Sequence, residues 1–232
     1  MAMPDFAFLH DGKRHVISLV GGGGKTTVMY ELAAYFAGLG RTVLVMTTTH
    51  IWQPDKNFAP DLAAARQLWR AGNYAVAGRE EPGTGKLTQP DSGALAEYLQ
   101  AADIALIEAD GAKGLPCKLP AAHEPVILPA SDVVLGVFGL DALGKTLKQC
   151  CLRYELAQQV FGWEENQPLT AAMAVRLLLS EQGTRKGAGG RSYYVVLNKC
   201  DDEASLAEAL KLRQLLAQQG LPQEHIWLRG KR

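Results

Sequence analysis

Short apolar runs alternate with amphipathic stretches along this chain, and this alternation predicts most of its secondary structure. Continuous apolar runs predict buried strands at 16–20, 42–47, 104–107, 133–138 and 193–197. Shorter runs predict further strands at 74–77, 86–88 and 226–228. Apolar residues at helical spacing, bounded by turn and capping residues, predict helices at 25–39, 60–71, 92–100, 150–162, 168–181 and 203–219.

Strands that alternate with helices favour parallel pairing through right-handed crossovers. The pattern therefore predicts an α/β fold of three layers, in which helices cover both faces of a mostly parallel, twisted sheet. A chain of 232 residues suits one such domain, 1–232, in which 78–90 and 108–131 form loop or subdomain insertions. The basic stretch Gly183–Arg191 is expected to be a flexible surface loop. Ligands of such sheets bind at the carboxyl ends of the strands, so polar motifs there indicate function.

Composition and charge limit the kinds of molecule that this protein is expected to bind. The apolar fraction of 47% supports a sizeable core, and the formal net charge of zero predicts no general affinity for nucleic acid or anionic membranes. The apolar runs are much shorter than a membrane span, and the first residues do not resemble a signal peptide, which favours a cytoplasmic protein. No Cys-x-x-Cys pair is present. We interpret the cysteines as reduced apolar residues rather than redox, metal or selenium-handling groups: Cys117, Cys150, Cys151 and Cys200.

The strongest functional signal is the glycine-rich turn between the first predicted strand and the first predicted helix. It has the form Gly-x-x-Gly-Lys-Thr-Thr, which resembles the loops of Mur-type amide ligases and of P-loop GTPases; the full P-loop pattern would require glycine at Leu19. Glycines let the backbone approach a polyanion, which helix amides stabilise. Lys25 would reach the terminal phosphates, and the Thr26 hydroxyl would hold Mg²⁺. The candidate nucleotide-binding residues of the loop are Gly21, Gly22, Gly23, Gly24, Lys25, Thr26 and Thr27.

A second glycine loop, Gly139–Thr146, fits the full P-loop pattern better and also follows an apolar run. Its middle is Leu-Asp-Ala-Leu, whose bulky side chains obstruct close approach of the backbone to phosphate. We therefore favour the first loop as the phosphate site.

Two carboxylates follow the strand predicted at 104–107. Glu108 and Asp110 are two residues apart, so on an extended backbone they point the same way. A carboxylate at this position is the usual second anchor for Mg²⁺ beside a P-loop, directly or through water. Either residue fits that role; we assign Asp110 to the metal together with Thr26, and both carboxylates to the catalytic site.

The strand predicted at 193–197 leads into Asn198-Lys-Cys-Asp201, which matches the Asn-Lys-x-Asp signature of GTPases. In that signature the aspartate accepts two parallel hydrogen bonds from guanine, and the lysine stem covers the base. We therefore expect Asn198, Lys199 and Asp201 to recognise the base of the bound nucleotide, GTP or ATP.

Two further groups of residues are weaker signals. His50 lies in Thr47–Ile51 at another strand end, where it is either a catalytic base or a hydrogen-bonded structural histidine. The other group lies in the proline-stiffened loop after the carboxylates, and either stabilises transferred phosphate, binds a second substrate or is solvated. Its members are Lys113, Lys118, His123 and Glu124.

Together these motifs resemble those of the YqeC-type selenium-dependent hydroxylase accessory proteins, also called selenium cofactor biosynthesis proteins. The resemblance spans nearly the whole chain and implies a P-loop nucleoside triphosphatase (NTPase) with a part in the maturation of selenium-dependent molybdenum hydroxylases. The family pattern prefers proline where this chain has Thr146, which supports the choice of the first loop. Glu108-x-x-Gly111 also resembles metallochaperone GTPases that load nickel enzymes, whereas the usual GTPase Asp-x-x-Gly is absent. The resemblance rests on Gly21–Thr27, Thr47–Ile51, Glu108–Pro116, Lys118–Pro125 and Gly139–Lys145.

The main hypothesis is an accessory protein that binds and hydrolyses GTP or ATP with Mg²⁺. Gly21–Gly24 would cradle the phosphates, and Lys25 would neutralise charge that develops between the β- and γ-phosphates. Such enzymes often turn over slowly until a partner completes the site, so a homodimer or a client hydroxylase is the expected assembly. Two alternatives stay open: an enzyme that uses ATP to activate a small substrate, and a nucleotide-responsive scaffold without catalysis.

Overall fold

Twelve strands and eight helices form the part of the chain that the computed structural model describes, residues 3–4 and 6–230. The strands are β1 His15–Gly21, β2 Val43–Thr47, β3 Ile51–Trp52, β4 Ala75–Val76, β5 Arg79–Glu81, β6 Lys86–Thr88, β7 Ile104–Glu108, β8 Cys117–Lys118, β9 Val133–Gly139, β10 Cys151–Leu152, β11 Ser192–Asn198 and β12 Ile226–Arg229. The helices are α1 Ala7–His10, α2 Lys25–Gly38, α3 Leu62–Arg70, α4 Ser92–Ala101, α5 Leu147–Cys150, α6 Tyr154–Phe161, α7 Ala171–Leu179 and α8 Glu203–Gln218. Single turns of 3-10 helix lie at Leu140–Ala142 and Gln223–His225.

Seven strands form one parallel sheet in the order β12-β11-β9-β1-β7-β2-β4. Alternate residues of a strand face opposite layers: Val43 and Val45 pack with α2, whereas Leu44 and Met46 pack with α3 and α4. Helices α7 and α8 cover the β9 and β11 half of the face opposite α2. The predicted three-layer α/β fold of P-loop NTPase type is therefore confirmed. None of the described helices combines the length and the apolar character that crossing a membrane requires.

The helix predicted over 150–162 is wrong in its first part. Helix α5 ends at Cys150, and the next two residues form β10, which pairs in parallel with β8. Arg153 has a left-handed backbone with φ of 63°, which interrupts a right-handed helix, and α6 begins only at Tyr154. The spacing of apolar residues does not reveal this break, because residues before and after Arg153 are buried in the same core and so continue one apolar pattern.

The predicted insertions 78–90 and 108–131 have different characters. The first supplies β5 and β6, which join β3 in a small antiparallel sheet of order β3-β6-β5. The second is not an open loop, because Lys118 and Leu119 are each 1% exposed and β8 lies within it. This segment is part of the packed interior beside the central sheet.

The expectation of a flexible surface loop at Gly183–Arg191 is wrong. Thr184 and Ala188 are buried. The Lys186 ammonium donates to Ala121 O at 2.6 Å, and Arg191 Nε donates to Ser131 O at 2.7 Å. The basic side chains are therefore hydrogen-bond donors for carbonyls of the 108–131 segment, which a count of charges in the sequence does not reveal.

An ion-pair cluster anchors the 108–131 segment. Lys118 Nζ donates to Glu124 Oε2 at 2.6 Å, and Arg153 donates to both oxygens of that carboxylate at 2.8 and 3.1 Å. Burial alone would raise the pKa of Glu124, but the hydrogen bonds and charges of Lys118 and Arg153 hold it below its ordinary value of 4.5. Because the folded-state pKa is lowered, this carboxylate stabilises the fold above the ordinary pKa, and the contribution is lost as pH falls through the folded-state value.

We predict that Glu124→Gln lowers the free energy of unfolding at neutral pH by about 3 kcal/mol. The buried Lys118 ammonium then loses one of the two carboxylates that compensate its charge. As a matched control, Glu165→Gln breaks an exposed contact with Lys148 and should cost less than about 1 kcal/mol. Urea unfolding measures both. The cost of Glu124→Gln should shrink as pH falls below 4.5; equal costs for the two variants at neutral pH would contradict this role for Glu124.

Candidate functional site

The glycine loop lies at the carboxyl end of β1, which β7 and β9 flank at the centre of the sheet. Gly23 and Gly24 have left-handed backbones, with φ values of 82° and 111°. A Cβ atom on Gly23 would lie 2.1 Å from the backbone nitrogen of Gly139, so only glycine fits there. At this position glycine permits close packing of the loop against the end of β9.

The N–H groups of the loop fall into two sets. Those of Gly22 and Gly23 are already bonded inside the protein, to Val137 O at 3.0 Å and Leu115 O at 2.9 Å. The N–H groups of residues 24–27 have no hydrogen-bond partner among residues 3–4 and 6–230. They form the first turn of α2, where partial positive charge favours anions. The free donors thus lie at the start of α2 and are not spread over all four glycines.

Lys25 is buried beside the loop, with 4% of its surface exposed. Its ammonium donates to Gly21 O at 2.7 Å and lies 3.1 Å from Asp110 Oδ1. This Oδ1 makes no well-aligned hydrogen bond within the described residues, so the contact is ionic rather than directional. Asp110 Oδ2 lies 3.2 Å from Lys118 Nζ and accepts from the Gly21 N–H at 3.1 Å. Asp110 is therefore surrounded by cationic and N–H groups of the protein.

Glu108 also faces the loop, but in a different setting. Its Oε2 accepts a hydrogen bond from the Thr26 hydroxyl at 2.7 Å. Burial raises the pKa of Glu108, and the charge of Lys25 and the Thr26 hydrogen bond offset this only in part. The Glu108 carboxylate thus has less compensating positive charge than its burial demands, and a cation nearby would stabilise its ionised form.

The oxygens of Thr26 and Glu108 fit a magnesium ion. A hydroxyl and a carboxylate are the ligands that P-loop proteins give to Mg²⁺, while phosphates and waters complete the octahedron. Across the described ranges, no cluster of three or more His, Cys, Asp or Glu side chains is arranged to hold a metal ion without other ligands. A cation beside Asp110 would meet two lysines, so the geometry favours Glu108 for the metal role that the sequence analysis assigned to Asp110.

The Asn198–Asp201 segment follows β11, two strands from β1. Asn198 is 2% exposed, and its Nδ2 donates to Gly23 O at 2.6 Å. Lys199 has a left-handed backbone with φ of 70°, and its ammonium donates to Asp141 Oδ2 at 2.8 Å. Asp201 is exposed. The structure therefore brings Asn198 to the glycine loop itself, and places Lys199 and Asp201 at the adjoining surface.

Arg229 is a site residue that the sequence analysis missed. Its Nη1 donates to Asn198 Oδ1 at 2.6 Å, and its Nε donates to Glu31 Oε2 at 2.5 Å, which ties the end of β12 to α2. Its one sequence signal is its position directly after a predicted strand. The contact of Leu115 O with the loop has no sequence signal, because any residue supplies a carbonyl.

His50 lies at the surface where two cavities meet. Its side chain is 53% exposed, and Nε2 is 3.4 Å from Glu81 Oε1. One cavity, of about 430 Å³, is lined by Thr26, Glu108 and Lys113 among others, and the other, of about 550 Å³, by His123 and Glu124 among others. His50 lines both. Its exposure speaks against a histidine held in the core.

The second glycine loop, Gly139–Thr146, runs next to the first one. Gly139 ends β9, and the following 3-10 turn buries Leu140 and Ala142. Lys145 is half exposed, and its ammonium lies 3.8 Å from Asp141 Oδ2. The apolar side chains of this loop thus serve the core, and its lysine lies at the surface.

The four cysteines are free and buried. Cys151 pairs with Cys117 across β10 and β8, and Cys117 Sγ donates to Cys150 O at 3.3 Å. Contact with the two neighbouring thiols raises the pKa of Cys117 well above its ordinary value, and burial raises that of Cys200 to about 11. Cys117 and Cys200 stay protonated at neutral pH, which makes these two poor nucleophiles and suits their interpretation as apolar residues. The pKa of Cys150 is instead lowered by its contact with the Cys117 thiol.

A parallel sheet whose central strand leads through a glycine loop into a helix is the architecture of P-loop proteins, and the chain has a fold of this type. A profile of the family described as YqeC protein matches residues 17–155, more than half of the chain. A curated relative from Escherichia coli (strain K12), "Uncharacterized protein YqeC", is 30% identical over an alignment of 232 positions, gaps included, that covers 92% of this chain and 86% of the relative. The chain belongs to the YqeC family, as its motifs predicted.

We predict that Gly23→Ala lowers the free energy of unfolding by about 3 kcal/mol or more, because the new methyl group meets the backbone of Gly139 at a strained φ. The matched control is Gly83→Ala, which has a similar φ of 75° and no atom within 4 Å of the new Cβ. It should cost about 1 kcal/mol. Urea unfolding compares the two; a cost for Gly23→Ala no greater than for Gly83→Ala would contradict the close packing of the loop on β9.

Proposed function

We propose that this protein binds the triphosphate of GTP or ATP with Mg²⁺ at the start of α2, and that it hydrolyses the nucleotide. The observation that carries the proposal is the group of unbonded N–H donors at residues 24–27, with the buried ammonium of Lys25 beside them. Oriented N–H groups and a lysine at the end of a central parallel strand suit the β- and γ-phosphates.

Lys25 and the two carboxylates take separate roles in this proposal. The Lys25 ammonium has three N–H donors, of which Gly21 O accepts one, while the contact with Asp110 is ionic, so a donor is left for a phosphate oxygen. Asp110 positions Lys25, while Thr26 and Glu108 hold Mg²⁺, which supplies positive charge to the β- and γ-phosphate oxygens when it is bound. His50, at the surface near Thr26 and Glu108, is the candidate base that orients the attacking group.

The base of the nucleotide is proposed to lie over the Asn198–Asp201 segment. Asn198 holds Gly23 O and thereby couples this segment to the phosphate loop. Lys199 and Asp201 follow at the surface, where a base has access to them. An aspartate that accepts two hydrogen bonds from guanine would favour GTP over ATP.

Membership of the YqeC family supports a cellular role as an accessory protein in the maturation of selenium-dependent molybdenum hydroxylases. A client hydroxylase, or a second copy of this chain, would then complete the catalytic site. An enzyme that activates a small substrate is the second candidate, and one observation favours it: the cavity of about 430 Å³ that adjoins Thr26 and Glu108 offers space for a ligand besides the nucleotide.

Lys25→Ala should weaken the binding of Mg²⁺–GTP by about 30- to 150-fold, because a charge-assisted contact worth about 2–3 kcal/mol is lost. Lys145→Ala, in the second glycine loop, should leave the affinity unchanged. Titration calorimetry with GTP and then ATP measures both, and circular dichroism checks that each variant is folded. Loss of binding only in Lys145→Ala would show that the wrong loop had been chosen, and equal affinity for GTP and ATP would remove base recognition by Asp201.

Glu108→Gln should reduce the gain in nucleotide affinity that Mg²⁺ gives, by about tenfold, because the neutral amide is a poor magnesium ligand. Nucleotide binding in the presence of a chelator should change little. Glu97→Gln, on the exposed side of α4, is the control. If Glu108→Gln keeps the full effect of Mg²⁺, the metal role does not belong to Glu108.

A further inference from the structure

The cavity beside the candidate metal site continues to an exposed tryptophan. Its lining includes Thr26 and Glu108 at the glycine loop, and also Trp52 and Lys86 of the small sheet β3-β6-β5. We call this cavity of about 430 Å³ the Trp52 groove. A molecule bound in it would contact both the metal site and the small sheet, so the groove is open to a ligand that lies next to the nucleotide phosphates.

The Trp52 groove and the candidate base site lie on opposite sides of β1. The groove is lined by residues at the carboxyl ends of β7 and β2, such as Glu108 and His50. The Asn198–Asp201 segment begins at the carboxyl end of β11, which lies on the other side of β1 in the sheet order. A nucleotide whose base lies over Asp201 would therefore point its terminal phosphate toward the groove. The groove is then free for a second molecule.

Trp52 has an open aromatic face at this groove. It is 69% exposed, whereas Trp163 and Trp227 are 7% and 4% exposed. Lys86 Nζ lies 5.0 Å from the centre of the Trp52 ring, so a cation already accompanies this exposed indole. Large aromatic side chains are usually buried by contacts within the protein. One that stays exposed beside a site is typical of a residue that stacks on a ligand.

The charges around the groove favour an anion. Within residues 3–4 and 6–230, no carboxylate lies at ion-pair distance from Lys86 or Lys113, which both line it. In the neighbouring cavity, Glu124 is compensated by Lys118 and Arg153. Glu80 and Glu81 bond to Gln53 and His50 of the lining and do not themselves line the groove. Apart from Glu108, which we assign to the metal, the groove is therefore lined by two ammonium groups that are unpaired among the described residues and by the aromatic rings of Trp52 and Tyr30.

We propose that the Trp52 groove binds a planar aromatic anion, a ring with a phosphate or carboxylate group, as a second ligand next to the nucleotide. The ring stacks on Trp52, and the anionic group contacts Lys86 and Lys113. This inference rests on the proposed function, because the nucleotide is what places a reactive phosphate at one end of the groove.

Flavin mononucleotide (FMN) is a suitable probe, because it combines a flat ring with a phosphate and loses fluorescence when it stacks on indole. Riboflavin, which has the ring without the phosphate, and inorganic phosphate are its comparison ligands. FMN should bind more tightly than either. Trp52→Leu and Lys86→Gln should each weaken FMN binding by about tenfold, whereas Lys148→Gln, on an exposed surface elsewhere, should not change it.

The same titrations separate this proposal from the nucleotide proposal. In Lys25→Ala, FMN binding should persist while GTP binding falls; if GTP binding is absent altogether but FMN still depends on Trp52, the groove stands and the nucleotide role fails. Equal affinity for FMN and riboflavin, or no effect of Trp52→Leu, would overturn the groove proposal. So would competition between FMN and GTP in the unaltered protein together with loss of FMN binding in Lys25→Ala, because FMN would then occupy the phosphate loop.

Discussion

Asp110 lies within ion-pair distance of two buried lysines, Lys25 at 3.1 Å and Lys118 at 3.2 Å, and the geometry of the site depends on these contacts. Beyond Lys118 the charges continue to alternate, through Glu124 to Arg153. Buried charges are costly without partners, and each member of this series has one of opposite sign beside it. The series holds three cations and two anions, and Glu108, whose ionised form the charge of Lys25 favours, adds a third anion at the glycine loop.

The contacts that fix the glycine loop link folding to the proposed function. The loop is fixed from four directions: Asp110 and Leu115 from the segment after β7, Val137 from β9, and Asn198 from β11. These contacts occupy the N–H groups of Gly21, Gly22 and Gly23 and the carbonyl of Gly23, and they leave the N–H donors of residues 24–27 unbonded within the described residues. A triphosphate would therefore meet preformed donors beside the Lys25 ammonium, and little of its binding energy would be needed to order the loop.

The fold was predictable because its strands are buried on both faces. Continuous apolar runs and glycine turns located all seven strands of the central sheet, and the parallel order then brought Lys25, Glu108 and Asn198 to one edge. What the sequence did not reveal is how charges pair. Asp110 and Glu108 look alike in sequence, yet one faces two lysines and the other a hydroxyl, and only packing distinguishes them. The left-handed turn at Arg153 and the ordering of 183–191 by carbonyls of a distant segment also depend on long-range contacts that no local pattern encodes.

The central claim is that the N–H groups at the start of α2 bind a triphosphate, and residue-resolved amide hydrogen exchange tests it most directly. Without ligand, the amides of residues 24–27 should exchange quickly and those of Gly22 and Gly23 slowly, because only the latter are bonded. Added Mg²⁺–GTP should slow exchange at 24–27 specifically. Unchanged exchange there, with new protection at 139–146 instead, would contradict the account.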